Sequence, residues 1–150
     1  MQKVNSRQIA ALFFILIYLG FVLTLTLFIH NYYTYGRSSN LLLFSSIRLM
    51  LRSGNWFLIS KNVFGNVALF LPIGLLFPLV LKRKDYYGLT LLFGFSFSFL
   101  IEICQYRFAA RIFDIDDVFL NVLGTLFGRL LLTVIRFFFG HCIIFYTRHR

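Results

Sequence analysis

The sequence predicts an all-α membrane protein with four transmembrane helices, and three observations carry that expectation. Hydrophobic residues make up 59% of the chain and aromatic residues 20%, with a mean hydropathy of +0.81. The apolar residues form continuous runs of about 20, the length that crosses roughly 30 Å of hydrocarbon as a helix. They do not alternate in the short segments of a membrane barrel. The Lys and Arg residues lie mostly between these runs. At 150 residues the chain is expected to form a single domain.

The formal net charge of +10 would suggest nucleic acid in a soluble protein. Here the cations flank apolar spans, where they set topology and meet lipid headgroups, so membrane lipids are the expected partners and nucleic acid is not. Cys104 and Cys142 are separated by a whole span, which speaks against a disulfide framework. No phosphate loop, dinucleotide fingerprint or Ser/His/Asp spacing is present, and no cofactor is expected.

In chain order, the first span is placed at about 9–30. A basic, polar start followed by an apolar core also fits a signal peptide, but the run is too long and Thr24 to Tyr35 offers no cleavage site. Residues 31–61 connect it to the second span. Within them 41–52 reads as a short interfacial helix, with Ser45, Arg48 and Arg52 on one side; an irregular loop is the competing reading. Trp56 and Phe57 read as interfacial anchors. The second span, at about 62–81, holds Asn62 and Asn66 on one face of its start, and Pro72 and Pro78 further on. Membrane helices tolerate such prolines when neighbours satisfy the freed carbonyls. The third span, at about 86–106, offers Gly94, Ser96 and Ser98 for close helix approach and ends with Glu102 and Gln105 on one face. The fourth, at about 117–138, carries Asp117, Asn121, Gly124 and Gly128 as one stripe. Arg129, without an acidic partner at its depth, is expected to snorkel to the nearer surface.

Four of the 5 acidic residues fall between Glu102 and Asp117. A carboxylate at a membrane-helix centre costs roughly 2.5–3.5 kcal/mol on insertion scales, so this concentration marks a candidate site. An up-down-up-down bundle brings Asn62 and Asn66, Glu102 and Gln105, and Asp117 and Asn121 to the same end. Lys3, Arg7, Lys82, Arg83, Lys84, Arg148 and Arg150 lie on the other side, against Arg37, Arg48, Arg52, Lys61, Arg107 and Arg111 on this one. The positive-inside rule then predicts both termini in the cytoplasm and the polar end outside.

These residues also carry a family resemblance. Asn66 to Leu76, with Phe70, Pro72 and Gly74, resembles the Asn…Phe-x-Pro-x-Gly segment of the VanZ-like family. Glu102 and Gln105 are similar to its Glu-x-x-Gln, and Asp114, Asp117, Asn121, Gly124 and Gly128 to its Asp-x-x-Asp-x-x-x-Asn-x-x-Gly-x-x-x-Gly. Asn40-Leu41-Leu42 is like the family's entry to the interfacial region, so the resemblance covers about residues 40–130. It implies a small integral protein of the bacterial plasma membrane. The family's founding member is associated with low-level resistance to teicoplanin, a lipid-tailed glycopeptide acting on cell-wall precursors outside the membrane.

The candidate binding residues are therefore Asn66, Glu102, Gln105, Arg111, Asp114, Asp117 and Asn121, with Glu102 and Asp117 as candidates for acid–base work. Each has a plainer reading. Glu102 can be a structural acceptor for Asn66, Asn121 or Arg111, and Asn62 and Asn66 can be helix-packing donors. Asp114 or Asp116 can simply cap the fourth helix. Oxygen ligands for Mg²⁺ or Ca²⁺ are conceivable in Glu102, Asp114 and Asp117, but only His30 accompanies them, and no metal is expected. Cys104 reads as a small core residue. Three functions remain: binding of lipid, cell-wall precursor or lipoglycopeptide; modification of a membrane lipid or lipid-linked precursor by Glu102 and Asp117; and transport or assembly.

Overall fold

A computed structural model describes residues 6–28, 39–81, 87–109 and 111–148, with side chains described from Ile9 to Phe139 within these. His30, residues 82–86 and the side chains beyond Phe139 lie outside the described residues. The elements in order are α1 (Ser6–Phe28), β1 (Ser39–Asn40), α2 (Ser45–Arg52), α3 (Trp56–Ile59), a π turn (Ser60–Phe64), α4 (Gly65–Val80), α5 (Tyr87–Phe108), β2 (Phe113–Asp114) and α6 (Ile115–Arg148). Four helical segments are long and apolar enough to cross a membrane: Ile9–Leu27, Trp56–Val80, Tyr87–Phe108 and Ile115–Phe139.

The span boundaries shift for local reasons. The second segment starts at Trp56, six residues before the expected position, because the Asn55 side chain caps it by accepting from the Leu58 N–H at 3.1 Å. Trp56 and Phe57 are thus its first turn and are exposed. The interfacial helix begins at Ser45, later than expected, because the Asn40 carboxamide accepts from Ser45 Oγ at 2.6 Å and donates to Ser46 Oγ at 2.9 Å. Those bonds hold 41–44 as a turn, with Phe44 in the left-handed region at φ 65°. The fourth helix begins at Ile115, where Asp114 is the residue that caps it, and runs to Arg148.

α6 is the central helix: 44% of its membrane segment is buried, against 17% for α1 at the periphery. It packs most extensively on α4 and next on α5, and α1 lies across α4. The α4–α6 contact is a small-residue seam. An added Cβ at Gly74 would lie 2.0 Å from the Thr125 carbonyl oxygen, and one at Gly128 would lie 2.0 Å from that of Leu71. Only hydrogen at those positions lets the two backbones touch, and dispersion across such contacts drives association where lipid removes the hydrophobic term.

Gly94 and Ser98 face α6, where Gly94 meets the Thr125 side chain and Ser98 accepts from Asn121. Ser96 is exposed, so its expected packing role is not found; two residues from Gly94 and Ser98, it falls on the opposite face. Val22, Phe70, Ile73 and Ile101 form the shared apolar core of α1, α4 and α5. Phe77 and Phe93 stack beside it at 4.1 Å. Tyr18 pins α1 to α4 by donating to the Leu69 carbonyl at 2.8 Å.

Arg129 also differs from expectation. It is 2% exposed and does not reach a surface by itself. Its guanidinium lies 4.3 Å from the centre of the Tyr87 ring and donates to Thr133 Oγ1 at 3.0 Å. A cation–π contact and a side-chain acceptor replace the water that snorkelling would have supplied.

Candidate functional site

The C-terminal end of α1, the start of α4, the end of α5 and the start of α6 meet at one end of the bundle. They line a half-open cavity of about 210 Å³. α6 presents Asp117 and, one turn on, Asn121; the seam against α4 fixes this rotation, since Gly124 follows on the same stripe and touches the Val67 carbonyl. Glu102 and Gln105 come from the last turns of α5, and Asn66 from the first turn of α4. Lys61 and Asn62 belong to the π turn just before it. A π turn inserts one residue into the helical register, so it re-aims the side chains around it, a device common at functional sites. Leu25 of α1, Leu69 of α4 and Ile101 of α5 form the apolar part of the wall.

Hydrogen bonds fix each polar member. Asp117 Oδ1 accepts from Asn66 Nδ2 at 2.6 Å, joining residues 51 apart in the chain. Glu102, 2% exposed, accepts through Oε2 from the Asp114 backbone N–H at 3.0 Å. Gln105 Nε2 and Arg111 Nη1 both donate to the Thr26 carbonyl, at 3.2 and 3.4 Å. Thr26 lies in the last turn of α1, where backbone carbonyls have lost their helical partners and the helix end attracts a cation. Asn121 Nδ2 donates to Ser98 Oγ at 2.8 Å, while its Oδ1 is buried with no hydrogen-bond partner among the described residues.

Asp114 and Asp116 turn away from the cavity and serve α2. Asp116 is fully buried and accepts from three backbone N–H groups at the start of that helix, those of Phe44, Ser46 at 2.9 Å and Ile47 at 3.3 Å. Asp114 accepts from Ser46 Oγ, from Asn40 Nδ2 at 3.2 Å and from its own helix at the Asp116 N–H, 3.0 Å away. The parallel pairing of Ser39 with Phe113 and of Asn40 with Asp114 completes the clamp. The expected capping role is thus found in Asp114, which caps α6, while Asp116 caps a different helix.

Of the seven residues proposed from sequence, Asn66, Glu102, Gln105, Arg111, Asp117 and Asn121 line the cavity. Asp114 does not; it reaches Glu102 only through its backbone N–H. Lys61 and Thr26 were not among the seven, yet both line it. The signal for Thr26 was its place in the last turns of the first span, which the topology already put at this end. Lys61 carried the same signal, because the topology put it at this end beside Asn62. No group of three or more His, Cys, Asp or Glu side chains converges on a common point among the described residues.

No curated protein and no solved structure matches the chain. A family model described as VanZ/LLP1 does, over residues 13–136, a stretch that begins within the first span, ends within the fourth and takes in every residue lining the cavity. With well over half its length matched, the chain belongs to the VanZ/LLP1 family, as a membrane protein of four spanning helices.

Proposed function

We propose that the protein acts at the outer membrane–water interface of a bacterial plasma membrane. Its cavity takes the polar headgroup of a membrane amphiphile, and this lowers susceptibility to lipid-tailed glycopeptides of the teicoplanin type. The observation that carries the reading is the convergence of Asn66, Glu102, Gln105, Arg111, Asp117 and Asn121 on one cavity at the ends of their helices, beside Leu25, Leu69 and Ile101. Polar groups in a membrane protein are held at a cost and mark sites of binding or transfer. A cavity lined by both polar and apolar side chains suits an amphiphile, which carries both kinds of surface.

The test is protection in a susceptible host. Expression should raise the inhibitory concentration of teicoplanin and not that of a glycopeptide lacking the lipid tail. Glu102→Gln should return the value to that of the empty host while the protein remains in the membrane. Equal protection against both drugs, or none against either, refutes the proposal.

A second reading, an enzyme acting on a membrane lipid or lipid-linked precursor, is favoured by one specific feature. Glu102 and Asp117 face the same cavity and are each held by a neutral donor. A lipid and precursor mass inventory that changes with the wild-type gene, and not with Glu102→Gln, would select it.

A further inference from the structure

The cavity has an uneven distribution of charge and hydrogen-bonding capacity. Glu102 accepts from a backbone N–H and Asp117 from a carboxamide, both neutral donors. Arg111 is near enough for its charge to act on both carboxylates, yet its guanidinium bond runs to the Thr26 carbonyl. Asn121 lines the same cavity, is 5% exposed, and holds an acceptor oxygen with no partner among the described residues. Buried Glu102 and half-buried Asp117, neither hydrogen-bonded to a cation among the described residues, and the orphaned Asn121 carbonyl form an incomplete arrangement. A buried charge is costly until something pairs it, and a buried acceptor until something donates to it. The two cations lie outside this inner group: Lys61 is exposed on the π turn, and half-buried Arg111 lies between α5 and α6.

Resting on the reading that the cavity takes an amphiphile headgroup, we infer that this headgroup is zwitterionic. A protonated primary amine points inward to Glu102, Asp117 and Asn121, and a phosphate points outward to Lys61 and Arg111, as in a phosphoethanolamine lipid. An ammonium group supplies three N–H donors and one positive charge, which is what the inner wall lacks. A quaternary ammonium carries the charge but no N–H, so it leaves the Asn121 carbonyl unsatisfied. A hydroxyl headgroup donates but leaves the carboxylates unpaired. The phosphate then meets the two side chains that recognise it by charge and by planar donors.

The experiment uses the full chain in detergent micelles, with short-chain phosphatidylethanolamine, phosphatidylcholine and phosphatidylglycerol of identical tails, and with soluble phosphoethanolamine. Binding is read by native mass spectrometry and calorimetry. Phosphatidylethanolamine should bind about ten-fold or more tightly than the other two lipids, a difference of about 1.4 kcal/mol. Glu102→Gln and Asp117→Asn should each erase that preference. Both keep the acceptor oxygen that their neutral donors use, and a thermal melt in the same micelles verifies folding. Lys61→Gln should weaken all three lipids alike, since each carries the phosphate.

Soluble phosphoethanolamine competing with the lipid places the recognition in the headgroup itself. Failure to compete at any concentration overturns the headgroup assignment. Equal binding of all three lipids, abolished by Lys61→Gln, overturns the amine and leaves the amphiphile reading standing. A preference for phosphatidylethanolamine that survives in folded Glu102→Gln and Asp117→Asn also overturns the inference. No lipid bound at all, with the wild-type chain folded, sinks both this inference and the reading beneath it.

Discussion

Asp114, Asp116 and Asp117 crowd into four residues, and each has a different set of partners. Asp116 accepts three N–H groups from the start of α2, Asp114 joins α2 to α6, and only Asp117 faces the cavity. Hydrogen bonds to a charged group are worth about 1.5–3 kcal/mol, and a buried donor that loses its acceptor costs about 1–3 kcal/mol. Asp116→Ala should therefore destabilise the protein by about 3 kcal/mol and release α2, because it removes the shared acceptor of three N–H groups at the start of that helix. A thermal melt in detergent, combined with proteolysis within 41–55, checks this. An unchanged melt with the same cleavage pattern would show that α2 does not depend on Asp116. Asp117→Asn, by contrast, retains an oxygen for Asn66 and should leave the melt almost unchanged.

Among the elements, the α4–α6 seam decides whether the cavity exists. It sets the rotation of α6, and so aims Asp117 and Asn121 at Asn66 and Glu102. Gly74→Ala places a methyl 2.0 Å from the Thr125 carbonyl oxygen and 2.7 Å from the Arg129 nitrogen, both backbone atoms of a helix that cannot yield locally. The helices must separate, and folded protein recovered from the membrane should fall sharply. At Gly20 in α1 nothing lies within 4 Å of an added Cβ. Gly20→Ala should be neutral or gain up to about 1 kcal/mol from helix propensity. Size-exclusion profiles in detergent separate the two outcomes, and equal yields would show that the seam tolerates a methyl.

α2 has a distinct place among the elements. Through Ser46 and Asp114 it is bonded to the residue whose N–H holds Glu102. An amphipathic helix carrying exposed Leu49, Leu51 and Arg52 is thereby linked by hydrogen bonds to the wall of the cavity.

At the scale of the whole molecule, the cation distribution predicts cytoplasmic termini with the cavity outside. In a background with Cys104 and Cys142 replaced by serine, cysteine introduced at exposed Ser53 should react with a membrane-impermeant thiol reagent on intact cells. Labelling only after permeabilisation would invert the topology and put the cavity on the cytoplasmic face.

The sequence by itself determined the four spans, because their signal is local: about 20 apolar residues in a row must be helical in lipid, whatever surrounds them. It also determined that Asn66, Glu102, Gln105, Asp117 and Asn121 belong to one end, since alternating helix direction requires it. Only the tertiary structure decided which acid faces what. Asp116 meets Phe44, Ser46 and Ile47, residues 72, 70 and 69 positions away, through a turn whose path no local pattern specifies. Lys61 lies in the π turn before α4 and lines the cavity with Gly65 and Leu69, a place that the helix packing decides. Thr26 contributes a backbone carbonyl, a group every residue possesses, so its role comes from where α1 ends and from what lies opposite.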